Sequence, residues 1–143
     1  MEILESAICD LWFVIYVLKL FDLVRGVNKV RETISNYTVF DVETPNSKND
    51  SICSIGIVRV EDDKVVYRNH FYVDPEDRFD YFNTRLHGID SSMVKGQRKF
   101  PELWEEISLY FLNQVVIAHN ASFDLKVLSK CFKNYDIDVP DFY

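Results

Sequence analysis

The chain has 143 residues, 48% of them apolar and 15% aromatic, and carries a formal net charge of −7. That length suits one domain with a substantial core plus an appendage, and the apolar content excludes a disordered chain. The acidic balance excludes a protein that holds nucleic acid through a generalised basic surface. It does not exclude an enzyme whose bound cations bring the positive charge to its site.

Residues 1–34 form an apolar, helical N-terminal extension by pattern. Leu11 to Leu18 is uninterrupted by charge and is bracketed by Asp10 and Lys19, far short of the roughly 20 residues that a spanning helix needs. Glu2, Glu5 and Asp10 precede the run, so it lacks the positive start of a secretory signal. Phe21, Val24, Val27 and Val30 continue near helical spacing, with Arg25, Lys29 and Arg31 toward the C-terminal end, where they suit the helix dipole. The expectation is a helix packed on the domain or on a partner, with membrane contact of residues 7–21 as the alternative.

Residues 35–143 read as a separate domain. Tyr37-Thr38-Val39-Phe40-Asp41-Val42-Glu43-Thr44 is an apolar, β-branched strand ending in two acids one residue apart. Alternation puts Tyr37, Val39, Asp41 and Glu43 on one side and Thr38, Phe40 and Val42 on the other. Two carboxylates at the end of a buried strand repel each other and resist desolvation. Either a divalent cation compensates them, or the strand frays into an acidic turn at Pro45-Asn46.

After the polar loop 45–50, Ser51–Val60 and Val65–Val73 read as two more strands, joined by the turn Glu61-Asp62-Asp63-Lys64. Connections this short imply an antiparallel meander. Residues 74–99 read as a long irregular stretch, which in a compact domain is more often functional than idle.

Phe100-Pro101 starts a helix with an apolar face of Leu103, Trp104, Ile107 and Phe111. Val115–Ala118 is a short buried strand, and Asn120 is the expected N-cap of a helix from Ala121 to about Phe132. On that helix Asp124 shares a face with Val127, Leu128 and Cys131. A buried acid wants a partner, although a first-turn acid is also favoured by the helix dipole. The three cysteines, Cys9, Cys53 and Cys131, have neither metal-ligand spacing nor an even count, which points to a reduced, cytoplasmic setting.

The helical crossover lets the last strand lie parallel to the first, giving a mixed α/β sheet. The functional crevice of such a sheet lies beyond the carboxyl ends of its strands. Asp41, Glu43 and Asp124 converge there, and an all-oxygen set without cysteine suggests Mg²⁺ or Mn²⁺.

Val39-Phe40-Asp41-Val42-Glu43-Thr44 resembles the first exonuclease motif of the DEDD superfamily in its DnaQ-like branch, which includes the epsilon subunit of DNA polymerase III. Val116-Ile117-Ala118-His119-Asn120-Ala121-Ser122-Phe123-Asp124 is similar to the second motif, and Leu86-His87-Gly88-Ile89-Asp90 to the segment between them. The resemblance covers residues 37–132. It implies an RNase H-like fold and two-metal hydrolysis of phosphodiesters at the 3′ end of single-stranded DNA or RNA, of a proofreading or repair type. It further implies that Asp41, Glu43 and Asp124 are the catalytic metal ligands and that Thr44, His87 and Phe123 lie at the terminal nucleotide. A polymerase or another replication or repair protein is the partner that it suggests.

The family pattern continues with a third motif, a histidine (tyrosine in another branch) with an aspartate about one helical turn beyond. No histidine follows His119, Tyr135-Asp136 lies too close behind the second motif, and Asp138 and Asp141 have no suitable partner before them. The expectation is therefore a C-terminally incomplete domain, without its general base and fourth acid and with one metal held weakly. The alternatives to an active exonuclease are a catalytically dead module that binds nucleic acid or protein, and an inactive gene fragment.

Overall fold

The computed structural model describes residues 35–141. The expected N-terminal helix over residues 1–34 lies outside them.

The sheet has four strands: β1 (Tyr37–Glu43), β2 (Ser54–Glu61), β3 (Lys64–Tyr72) and β4 (Val116–Ala118), in the order β3-β2-β1-β4. β1, β2 and β3 form the expected antiparallel meander, with Tyr37 opposite Val60 and Glu43 opposite Ser54. β4 joins the other edge of β1 in parallel, Phe40 opposite Ala118. Its approach needs the crossover that α3 (Phe100–Ile107) and the single 3₁₀ turn Ser108–Tyr110 provide. Pro101 sits in the first turn of α3, where its missing N–H breaks nothing, and the Glu102 side chain accepts from the Lys99 N–H at 3.2 Å.

The core is built on one face of the sheet. Phe40 and Val42 of β1 and Ile55 and Ile57 of β2 meet Leu103, Trp104 and Ile107 of α3 and Val127, Leu128, Cys131 and Phe132 of α4 (Ala121–Asn134). Its centre is aromatic. Phe132 meets Phe100 edge-on at 5.1 Å and Trp104 at 4.7 Å, and Phe40 meets Phe111 at 5.3 Å. The opposite face carries a smaller cluster of Tyr37, Val39, Val58 and Val60. The alternation expected for β1 is therefore observed: Phe40 and Val42 lie in the larger cluster, Tyr37 and Val39 in the smaller.

Residues 74–99 differ from the irregular stretch expected. They contain α1 (Tyr81–His87) and the single turn α2 (Ser91–Val94). α1 buries no residue, so it shows no apolar periodicity. Its signals are at its ends: Gly88 closes it in the left-handed region at φ 80°, its N–H bonded to the Thr84 carbonyl. Asp90 caps α2 by accepting from the Ser92 and Met93 N–H groups. Among the described residues no helix is long and apolar enough to cross a membrane.

Candidate active site

β1 emerges from the sheet at Asp41 and Glu43. Because Phe40 pairs with Ala118, β4 stops one step below Asp41, and the chain turns through His119-Asn120 into α4. That turn carries Asp124 back to β1. Its carboxylate accepts from the Asn120 N–H at 3.1 Å and from the backbone of Val42, the residue between the two other acids. Asp124 is 2% exposed and lies on the same helix face as Val127, Leu128 and Cys131, as its spacing implies.

Asn120 stands at the expected N-cap position, yet its side chain makes no capping bond. Asp124 satisfies the Asn120 N–H from inside the helix, while Ser122 Oγ occupies Asn120 Oδ1 at 3.1 Å. The two readings of Asp124 thus coexist: it serves the helix start and also faces the strand acids.

The electrostatics register three charges with little to offset them. Burial, then the charge of Asp124, pushes the Asp41 carboxyl up to about 6 against a partial opposing pull from His119. Burial, then Asp41 and Asp124, pushes Glu43 up to about 7. Asp124 is also raised by burial, against the lowering effect of its bonds to Asn120 and Val42 and of His119. At neutral pH these acids are held partly against their preference for protons. Among the described residues, no three His, Cys, Asp or Glu side chains already stand close enough together to hold a metal ion. The donor set itself fits a hard divalent cation: it is all oxygen, excessively negative and directed from two fixed elements. Neither buried cysteine, Cys53 or Cys131, belongs to it, and burial pushes the Cys131 thiol up to about 12.

Beside the acids lies a cavity of about 280 Å³, lined by Glu43, Thr44, Phe82, Asn83, Leu86, His87 and Phe123 among others. The structure brings Thr44, His87 and Phe123 together here, next to Glu43. Thr44 is buried and its hydroxyl donates to Asn49 Oδ1 at 3.0 Å. Asn83 Nδ2 donates to the Thr44 carbonyl at 3.0 Å, fastening α1 to the end of β1.

His87 is committed through both nitrogens. The Ile89 N–H donates to Nδ1 at 3.0 Å, so the proton resides on Nε2, which donates to the Thr44 carbonyl at 3.1 Å. Burial lowers its pKa, only partly opposed by the Thr44 bond. His87 is therefore a neutral brace between α1 and β1, its ring facing the cavity and neither nitrogen free to take a proton from water.

Phe82 and Asn83 were not singled out by the sequence, and Leu86 entered only as the first residue of the Leu86–Asp90 segment. Phe82 and Leu86 are 75% and 72% exposed. Large apolar side chains standing in water at the rim of a cavity were the available signal, and it needs the helix to be seen.

The exonuclease family model matches residues 38–142, most of the chain. The chain is 38% identical over 96 residues to a PolC-type DNA polymerase III of Clostridium perfringens, a match covering 66% of this chain and 7% of that protein. It is 31% identical over 106 residues to the 3′-5′ exonuclease DinG of Staphylococcus haemolyticus, covering 73% of this chain and 12% of that one. The chain thus spans a small fraction of these curated relatives. Among solved structures it is similar to exonuclease X bound to 5′-overhanging duplex DNA, with 28% identity and a TM-score of 0.55, covering 64% of this chain and 52% of that one. The nuclease domain of 3′hExo, a DEDDh family member bound to rAMP, shares the fold at 16% identity and a TM-score of 0.65, covering 78% and 64%. The chain belongs to the exonuclease family, in the DnaQ-like branch of the DEDD superfamily with its RNase H-like fold, a family that generally works with divalent metal ions.

Proposed function

We propose that this chain is a 3′–5′ exonuclease domain acting on single-stranded nucleic-acid ends, with Mg²⁺ or Mn²⁺ bound by Asp41, Glu43 and Asp124. The observation that carries the reading is the approach of buried Asp124 to half-buried Asp41 and Glu43, from two elements, with Asp41 and Glu43 pushed up to about 6 and 7. Such a set favours a bound cation over three bare charges. When bound, a cation pair stabilises the attacking and leaving oxygens of an in-line displacement at phosphorus. The chain's own contribution is placement. β1 fixes Asp41 and Glu43, and the bond from the Val42 backbone holds Asp124 against them.

The terminal nucleotide occupies the cavity beside Glu43 in this reading. Phe82, Leu86 and Phe123 offer apolar surface to a base, and base–aromatic stacking is tolerant of sequence. Thr44 and the His87 ring shape the floor, and DNA is the substrate favoured by the polymerase relatives. The same relatives support a replication or repair protein as partner. Buried cysteines that form no disulfide, Cys53 and Cys131, suit a cytoplasmic setting. The division into a 1–34 extension and a 35–143 domain belongs to this reading too.

A second reading, a binding module without catalysis, is favoured by one observation: among the described residues the acids do not stand at metal-binding spacing. One experiment separates the two: release of nucleotides from a 3′-labelled single-stranded oligonucleotide in Mn²⁺ or Mg²⁺, set against an Asp41→Ala control. Release above the control supports the exonuclease. Oligonucleotide binding without release above the control supports the module.

A further inference from the structure

α1 buries no residue, so apolar packing does not fix how the helix is rolled about its own axis. Hydrogen bonds do. Asn83 and His87 stand four residues apart on one stripe of α1, and both reach the Thr44 carbonyl, Asn83 Nδ2 at 3.0 Å and His87 Nε2 at 3.1 Å. Those two donors fill both lone pairs of that carbonyl. Asn83 Nδ2 also donates to Thr44 Oγ1 at 3.2 Å, and the same hydroxyl donates onward to Asn49 Oδ1 at 3.0 Å. The start of the helix is tied separately. There the Asp80 N–H donates to the Pro45 carbonyl at 2.8 Å, and the Ser47 N–H and hydroxyl donate to Asp80 Oδ2, both at 3.2 Å.

Phe82 and Leu86 form the adjacent stripe of α1, about 100° round the helix from Asn83 and His87. Both are exposed, and both line the cavity beside Glu43. Thr44 follows Glu43 directly, so the bonds from Asn83 tie this apolar wall to the end of β1. A roll of α1 that parted Asn83 from Thr44 would displace Phe82 and Leu86 relative to Glu43.

We propose that Asn83 is a positioning residue for the terminal nucleotide: through Thr44 it holds Phe82 and Leu86 at the distance from Glu43 and Phe123 that a base occupies. It works through its neighbours, so its effect falls on substrate affinity and not on the chemical step. The residue type suits the task, because one amide NH₂ carries the two protons that the carbonyl and the hydroxyl accept. The inference rests on the reading of this cavity as the seat of the terminal nucleotide.

The test compares Asn83→Ala in two backgrounds, the unaltered chain and the Phe82→Ala/Leu86→Ala double variant, by initial rates of release from a 3′-labelled single-stranded oligonucleotide in Mn²⁺. In the unaltered chain KM should rise about tenfold, the scale of one lost hydrogen bond, while kcat changes less than about twofold. In the background without the wall side chains KM should change less than about twofold, because Asn83 has nothing left to position. All three substitutions fall on a helix that buries no residue, so each variant should melt within about 5 °C of the unaltered chain. An equal rise in both backgrounds, a fall in kcat without a rise in KM, or no change in the unaltered chain would overturn the proposal.

The same comparison in Kd, by fluorescence anisotropy of the oligonucleotide in Ca²⁺, separates the two ways of failing. Binding without release above the Asp41→Ala control overturns the exonuclease reading alone, provided Asn83→Ala still weakens binding about tenfold in the unaltered background only. Release with KM and Kd both unchanged by Asn83→Ala overturns the positioning role alone. Absence of both binding and release overturns both.

Discussion

The two sides of β1 show how one strand serves two opposed ends. Phe40 and Val42 face α3 and α4 and lie among Phe100, Trp104, Phe111 and Phe132, where nothing is charged and nothing is exposed. Asp41 and Glu43, the alternate residues, are half-buried and held above their ordinary pKa by burial, by Asp124 and, for Glu43, by Asp41 as well. The apolar side stabilises the fold, while the acidic side opposes it at neutral pH. The lesson is that the site depends on the core for its geometry and works against the core for its energy. A strand in a weaker setting would relax by fraying and letting the acids into water.

The largest expected effect lies on the acidic side and is catalytic. Asp41→Ala should lower metal-dependent nucleotide release by about 10³-fold, the scale on which a preorganised electrostatic group acts, measured as initial rate on a labelled oligonucleotide. The fold should survive, because the removed group opposes it. Next comes the apolar side: Phe132→Ala should cost about 3–5 kcal/mol, read from the urea midpoint, since its ring touches both Phe100 and Trp104. Equal stability losses at Asp41 and Phe132 would erase the contrast between the sides.

Glu43→Gln should move stability the other way. A carboxyl raised from 4.5 to about 7 binds protons more tightly when folded, so folding loses stability as pH rises through that interval. The metal-free protein should therefore keep this group's contribution in full below about pH 4.5 and should weaken by a few kcal/mol toward pH 8. Glu43→Gln should flatten that slope and raise the melting temperature at pH 8, and Mg²⁺ should do the same for the unaltered chain. A slope that steepens in Glu43→Gln would contradict the assignment. Smaller still, His87→Ala should cost about 1–2 kcal/mol through its two backbone bonds. It should leave the pH dependence of any activity unchanged, because both ring nitrogens are occupied by backbone bonds. The least effect belongs to the exposed Arg98–Glu106 pair, where Glu106→Gln should shift stability by about 0.5 kcal/mol or less.

The sheet was legible because its strands are long or strongly apolar and their turns are short. The crossover helix announced itself through Phe100-Pro101 and the spacing of Leu103, Trp104 and Ile107. α1 was not legible, since a helix that buries nothing leaves no periodic trace, and its two useful marks, Gly88 and Asp90, lie outside it. The start of α4 was legible in position only. Asn120 stands at the N-cap, but its side-chain oxygen accepts from the Ser122 hydroxyl instead of a first-turn N–H, while Asp124 accepts from the Asn120 N–H. His87 shows the limit most clearly: its residue type suggests proton chemistry, while its two bonds to Ile89 and Thr44 exclude it.

By itself the sequence determined the alternation of Phe40 and Val42 against Asp41 and Glu43, the parallel return of β4 and the motifs that mark the family, because these follow from periodicity, connection length and residue order. Only the tertiary structure decided how far the acids feel one another. Charge coupling and desolvation depend on distance and burial, and those arise when α4 brings Asp124 onto the backbone of Val42. It also decided that α1 closes a cavity beside Glu43, since Phe82, Asn83, Leu86 and Thr44 meet through contacts between segments far apart in the chain.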